Sequence, residues 1–201
     1  MARILVTGGS GLLGYRLVPE LLERGHEVIA LYYSHKIPFE HKNLIKRRLD
    51  LSNRLSVEDY VLKARPEVIV HAAAYTDVDG CEVNREYAWR VNVEATRSII
   101  RAAKIVKSYV IYISTDYVFD GSKGLYRETD IPYPISFYGL TKLIGEEYVR
   151  SSNLLYTIVR PSAIYGVGPG KLNFALFVAN SLSKGEKVKA IVDQYVSPTL
   201  N

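Results

Sequence analysis

The chain opens with a short apolar run, ARILVTG (residues 2–8), that passes directly into TGGSGLLG (residues 7–14). Four glycines between a strand pattern and an amphipathic stretch leave the backbone few ways to continue. Gly9-x-Gly11-x-x-Gly14 fits the dinucleotide fingerprint, and Gly8-x-x-Gly11-x-x-Gly14 fits its shifted variant. Glycines there allow a tight turn and a close approach to a pyrophosphate, whose charge is favoured at a helix N-terminus. The alternative is a bare tight turn. The strand–turn–helix setting favours the dinucleotide site.

Behind this turn, apolar runs alternate with helical stretches. Strands are predicted at residues 2–8, 27–33, 45–49, 67–73, 109–114 and 156–162. Helices are predicted at 12–24, 57–64, 83–106 and 137–152, with one more after GVGPG (166–170) and no closing element behind it. Strands apolar on both faces, joined by helices in right-handed crossovers, imply an α/β fold with a doubly wound parallel sheet of Rossmann type. The predicted division is a dinucleotide-binding domain over residues 1–165 and the start of a smaller, incomplete substrate region over 166–201. Pro19 falls inside the first helix, where a lost donor and a ring clash cost ~3 kcal/mol; a kink is the expected outcome.

A carboxylate that grips the adenosine ribose is expected ~20 residues beyond the glycines, at the end of the second strand. That stretch reads Tyr32-Tyr33-Ser34-His35-Lys36 and holds neither Asp nor Glu. A hydroxyl beside two groups able to carry positive charge suits a 2′-phosphate, so NADP(H) is the predicted cofactor, with Ser34 among its contacts.

Further on, IYISTDYVFDG (111–121) ends a buried strand in two hydroxyls, a carboxylate and a phenol, more than a turn requires. Tyr138-x-x-x-Lys142 places a phenol and an ammonium on one helix face, where the ammonium is expected to lower the phenol's pKa. With sixteen tyrosines one chance match is expected, and Tyr32-x-x-x-Lys36 is also a match; Tyr32 lies on or beside a strand, where the pair would not stack. HAAAYTDVDGCE (71–82) brings small residues and polar groups to the end of the fourth strand, the alternative being a small-residue strand packed on helices. His71, leading an apolar strand, reads as structural, and Trp89 as a core or interface residue. No His, Cys and Asp cluster has metal spacing.

A net charge of +5 raises the question of nucleic acid, and HKNLIKRR (41–48) is the densest basic run. No nucleic-acid motif accompanies it, and Leu44, Ile45 and Leu49 suit the buried side of a solvated edge strand. No apolar run approaches the ~20 residues of a membrane span, and the first residues enter a strand with no room for a signal peptide. The lone Cys81 cannot form an internal disulfide and reads as a passive small residue, so a cytoplasmic location is expected. Single Gln, Met and Cys residues would suit a heat-adapted source.

TGGSGLLG, HAAAYTDVD, ISTDYVFDG, Tyr138-x-x-x-Lys142, VRPSAIYG and DQYVSPT together resemble the extended short-chain dehydrogenase/reductases, and most of all the dTDP-4-dehydrorhamnose reductases. The resemblance implies that Gly8, Gly11, Leu12, Leu13 and Gly14 contact the cofactor phosphates. It places Asp50 and Leu51 at the adenine and Ala73, Ala74 and Tyr75 on the ribose side. Thr115, Tyr138 and Lys142 match the catalytic trio, Tyr138 and Lys142 also meeting the cofactor. Thr115, Asp116 and Tyr117 face the sugar, and Asn92 helps to hold the site. The implied reaction is NADPH-dependent reduction of the 4-keto group of a nucleotide-linked 6-deoxy sugar, with a homodimer the assembly the resemblance allows. Two departures stand out. Ala163 replaces a tryptophan of the sixth-strand motif, and the chain stops at Asn201, short of the smaller C-terminal domain, so a fragment is expected. Two rivals share the scaffold: a sugar epimerase or dehydratase, for which Asp116-Tyr117 offers only one carboxylate, and the NADP-binding regulatory beta subunit of methionine adenosyltransferase.

Overall fold

Six apolar runs form six parallel strands: β1 (Arg3–Thr7), β2 (Glu27–Tyr32), β3 (Leu44–Arg48), β4 (Val68–His71), β5 (Tyr109–Ile113) and β6 (Tyr156–Val159). The computed structural model describes residues 1–169, 173–190, 192 and 196–201. The sheet order is β3-β2-β1-β4-β5-β6, so the chain reverses its winding between β1 and β4. A ligand crevice is expected there, beyond the carboxyl ends of the strands. The Rossmann-type sheet follows the prediction from strand–helix alternation.

Alternating side chains on each strand feed two apolar layers. Leu5, Ile29, Leu31, Ile69, Val110 and Tyr112 pack with Val57 and Val61 of α2 (Arg54–Ala64) and Ile99 of α5 (Ala95–Val106). Ile4, Val6, Val28, Ala30 and Val70 pack on the other face with Val18 and Leu22 of α1 (Leu12–Glu23). Helix α1 runs through Pro19, whose flanking apolar residues hold it against the sheet.

The predicted helix over residues 83–106 is broken and begins earlier. It comprises α3 (Val78–Val83), α4 (Arg85–Trp89), a π-helical turn (Arg90–Glu94) and α5. The break lies at Asn84, which leaves helical geometry and caps α4, its Oδ1 accepting from Tyr87 N at 3.2 Å. Trp89 is not a core residue: it ends α4 with 38% of its surface exposed.

β3 is the sheet's edge, as its basic pattern suggested. Lys46 donates to the Phe39 carbonyl at 3.0 Å, and the Arg47 guanidinium lies 5.9 Å from the Tyr60 ring centre. Ile45 departs from the reading and is exposed, since the edge strand is covered on one side only. Beyond α6 (Phe137–Arg150), β7 (Ile164–Tyr165) pairs in parallel with β8 (Thr199–Leu200) on either side of α7 (Phe174–Ser183). The predicted open tail is therefore tied back at its end. Asp193, Gln194 and Tyr195 of DQYVSPT, and Gly170 of GVGPG, lie outside the described residues.

Candidate active site

The carboxyl ends of β1, β2, β4 and β5, with the segment after β6, enclose a cavity of about 1030 Å³. Its floor is the glycine turn. Gly8 adopts φ +71°, a left-handed value that suits glycine. A Cβ on Gly14 would fall 2.6 Å from Gly9 Cα, so the turn closes only with glycine there. Gly11 precedes α1 without a side-chain cap, and the first bond along the helix runs from Tyr15 N to Gly11 O. The N–H groups of Leu12, Leu13 and Gly14 therefore have no acceptor within the helix. All three residues line the cavity, and their donors fit a pyrophosphate.

Thr7 locks this floor to β4. Ala72 N and Ala73 N both donate to Thr7 Oγ1, at 3.1 and 3.0 Å, so its hydroxyl proton goes to His71 Nδ1, 2.8 Å away. His71 must then carry its proton on Nε2, which faces Thr96 Oγ1 at 2.9 Å, while Thr96 donates to Asn92 O at 2.6 Å. Burial, then the nearby Lys142, pushes His71 down to about 3 and keeps it neutral. It is structural, as the sequence suggested. The sequence reading missed Thr7 and Thr96, whose partners are remote in the chain.

At one end the lining consists of Leu31, Tyr32, Tyr33, Ser34, His35, Leu49 and Leu51. Ser34 and His35 are in place; Lys36 is exposed and off the wall. Asp50 is off the wall too, contrary to the resemblance, because its carboxylate turns back to accept from Ser52 N at 2.8 Å. Among the described residues no carboxylate lines this end. Ala73 and Ala74 line the middle, but Tyr75 does not. Its backbone is clamped instead by Asn92, whose Oδ1 accepts from Tyr75 N at 2.7 Å and whose Nδ2 donates to Tyr75 O at 3.1 Å. The Tyr75 ring turns edge-on to Tyr87, 5.2 Å between centres.

The other end gathers Thr115, Asp116, Tyr117, Tyr138 and Lys142. Thr115 caps the short turn Asp116–Val118, its Oγ1 accepting from Tyr117 N at 3.2 Å. Ser136 caps α6 in the same way through Gly139 N, at 3.1 Å. Gly139 lets α6 approach that turn: a Cβ there would collide with the Tyr117 backbone. Tyr117 lies edge-on to Tyr138, 5.8 Å between centres.

The electrostatics differ from the expectation. Burial pushes the Tyr138 phenol up to about 12, against the pull of a hydrogen bond with the Thr115 side chain. Burial also brings Lys142 down to about 7, with Glu146 acting the other way. The predicted lowering of Tyr138 by Lys142 fails: burial dominates the shift, and the opposing pull comes from Thr115 rather than from Lys142. Cys81 packs behind Tyr138 and, raised to about 11 chiefly by burial, is a neutral thiol. Pro161, Ser162, Ala163, Ile164, Tyr165 and Phe174 close the wall over these groups. Of these all but Phe174 fall in the VRPSAIYG motif, of which the sequence had singled out Ala163 by itself.

The family model described as the RmlD substrate binding domain matches residues 2–201. The chain belongs to the RmlD substrate binding domain family. Within and around this RmlD family, a probable low-salt glycan biosynthesis reductase, Agl14, of Haloferax volcanii is 37% identical over 198 residues, covering 96% of this chain and 65% of its own length. Methionine adenosyltransferase 2 subunit beta of Bos taurus is 37% identical over 165 residues, or 82% of this chain and 47% of its own. Among solved structures, a hypothetical dTDP-4-dehydrorhamnose reductase from Sulfolobus tokodaii has 45% identity and a TM-score of 0.81, over 92% of this chain and 63% of that one. The Bacillus anthracis dTDP-4-dehydrorhamnose reductase, solved in complex with NADP, has 33% identity and a TM-score of 0.77, over 91% and 60%. The chain thus spans less than two thirds of each of these proteins.

Proposed function

We propose that this chain is the cofactor-binding part of an NADPH-dependent reductase acting on the 4-keto group of a nucleotide-linked 6-deoxy sugar, of which dTDP-4-dehydrorhamnose is the leading candidate. The observation that carries the reading is the convergence of Thr115, Tyr138 and Lys142 on the cavity whose floor is the glycine turn. The family membership and the two structural neighbours support it.

Bound NADPH supplies the hydride. The free N–H groups of Leu12, Leu13 and Gly14 would hold its pyrophosphate, Ser34 and His35 the 2′-phosphate, and Lys142 the nicotinamide ribose. Thr115 would donate a hydrogen bond to the substrate carbonyl and so fix its orientation. Tyr138 would release its phenolic proton to the oxygen that becomes the new hydroxyl. A phenol raised to about 12 keeps that proton at neutral pH, the state a reduction requires. Asp116 and Tyr117 would face the sugar, and residues 166–201 would begin the region that encloses it. The small Ala163 side chain leaves the identity of the sugar to be set by that region.

The test is to mix the full-length protein with NADPH and dTDP-4-keto-6-deoxy-mannose and follow nicotinamide fluorescence. A fall with one equivalent of product per cofactor supports the reading, and a flat trace with every 4-keto sugar nucleotide removes it. The relative from Bos taurus favours one other reading, a regulatory NADP-binding subunit. That reading predicts a flat trace together with tight NADPH binding.

A further inference from the structure

The motif HAAAYTDVDGCE ends in a residue that the proposed chemistry does not use. Glu82 lies on α3, 55 residues ahead of Phe137, yet it meets the first turn of α6. The first bond along α6 runs from Leu140 N to Ser136 O. The N–H groups of Phe137, Tyr138 and Gly139 therefore have no acceptor within the helix. Ser136 Oγ accepts from Gly139 N, and Glu82 Oε1 accepts from Phe137 N at 2.6 Å. A carboxylate suits that place, because the bond is charge-assisted and the helix N-terminus favours a negative group.

Glu82 is itself held. Arg85 Nη2 donates to Glu82 Oε2 at 2.7 Å, and the same guanidinium lies over the Phe137 ring, 5.0 Å from its centre. Phe137 is thus gripped by its backbone and by its ring. The Phe137 N–H, and then Arg85, hold the Glu82 carboxyl below the usual carboxylate range, so the acceptor is an anion. Cys81, the residue before Glu82, is fully buried and packs with Tyr138 and Phe137. Helix α3 therefore meets the start of α6 twice, through an apolar contact inside and a carboxylate outside. The residue after Phe137 is Tyr138, whose ring lines the cavity. A helix end left without an anchor frays, and a phenol displaced by about 1 Å can lose ~10²-fold in rate.

We infer that Glu82 is a positioning residue for Tyr138: by accepting from Phe137 N it pins the first turn of α6 and so sets where the phenol stands in the cavity. The inference rests on the reading of Tyr138 as the proton donor.

Three variants of the full-length protein test it. Glu82→Ala removes the acceptor. Glu82→Asp keeps the charge but withdraws it by one methylene, and Glu82→Gln keeps an oxygen at the same reach. The kcat for the 4-keto sugar should fall about 10-fold or more in Glu82→Ala and Glu82→Asp. Glu82→Gln should recover most of that loss. NADPH affinity should stay close to the parent's in all three, since the glycine floor is untouched. A merely structural Glu82 would lower the melting temperature and leave kcat, measured well below it, unchanged; that result overturns the inference. Equal losses in Glu82→Ala and Glu82→Gln overturn it too. Glu82→Asp covers the case in which Glu82→Ala does not fold, because its carboxylate still faces Arg85. A second readout needs no turnover. In protein labelled with 3-fluorotyrosine, the fluorine signal of Tyr138 is the one lost in Tyr138→Phe. It should move and broaden in Glu82→Ala and Glu82→Asp and return towards the parent position in Glu82→Gln. A signal that stays in place in all three overturns the inference. If the parent turns over no 4-keto sugar while this signal responds as stated, the reductase reading fails and the positioning role stands.

Discussion

The oxygen of Tyr138 separates chemistry from binding. Tyr138→Phe removes one atom and leaves the glycine floor untouched. NADPH affinity should stay close to that of the parent while turnover of the 4-keto sugar falls ~10²–10⁴-fold, the usual worth of a placed proton donor. Steady-state kinetics alongside calorimetry checks both halves. Thr115→Val should act in the same sense but more mildly, through one lost hydrogen bond to the developing oxyanion. Gly14→Val should do the reverse and abolish NADPH binding, since even a Cβ collides with Gly9. At the adenosine end, where no carboxylate lines the cavity among the described residues, NADPH should be favoured over NADH by roughly 1–3 kcal/mol if one charge-assisted phosphate contact forms. Ser34→Asp should reverse the order, and equal affinities for the two cofactors would remove the argument. Thr115, Tyr138 and Lys142 could be singled out because polar residues gather at one strand's end and this Tyr–Lys pair, unlike Tyr32 and Lys36, falls on a helix. Asp50 and Tyr75 lie off the cavity wall for a local reason: the Asp50 carboxylate accepts from Ser52 N, and the Asn92 side chain clamps the Tyr75 backbone, bonds that leave no mark in sequence spacing. The charge states of Tyr138 and Lys142 were also hidden, because they depend on burial.

The π-helical turn is the element that assembles the middle of the site. It points Asn92, 1% exposed, at the Tyr75 backbone and at Thr141 Oγ1 on α6, which accepts from its Nδ2 at 3.0 Å. Three elements meet at that one amide. Asn92→Ala should therefore cost about 2–3 kcal/mol, as buried partners lose their bonds. Urea denaturation would show a lower midpoint at an unchanged slope, and an unchanged midpoint would mean that water replaces the amide. An extra residue in a helical turn of this kind often marks a functional site. Apolar periodicity carried the six strands and most helices through to the structure, because both faces of a parallel sheet must be covered. It could not place the break at Asn84 or the π turn, since a cap and a single inserted residue barely change the apolar pattern. Pro19 was visible as a conflict, and the helix resolves it by packing Val18 and Leu22 onto the sheet.

At the scale of the whole molecule, the described residues show a cofactor-sized cavity with an incomplete exterior. Leu155, Tyr156 and Val159 are exposed at the β6 edge, and Phe174 and Phe177 are exposed on α7. An open edge with apolar side chains invites pairing with another chain. The 201-residue chain should bind NADPH yet turn over little sugar nucleotide, and it should self-associate in sedimentation runs at high concentration. Robust turnover by this chain would show that residues 1–201 already enclose the sugar. The sheet itself has a consequence in time. None of its six strands is joined to its neighbour by a hairpin, so every ladder waits for a crossover, and β1 gains its second partner only once β4 exists. Such non-local pairing slows folding to milliseconds or longer. On a ribosome the glycine turn would emerge before the segments that build the cavity over it.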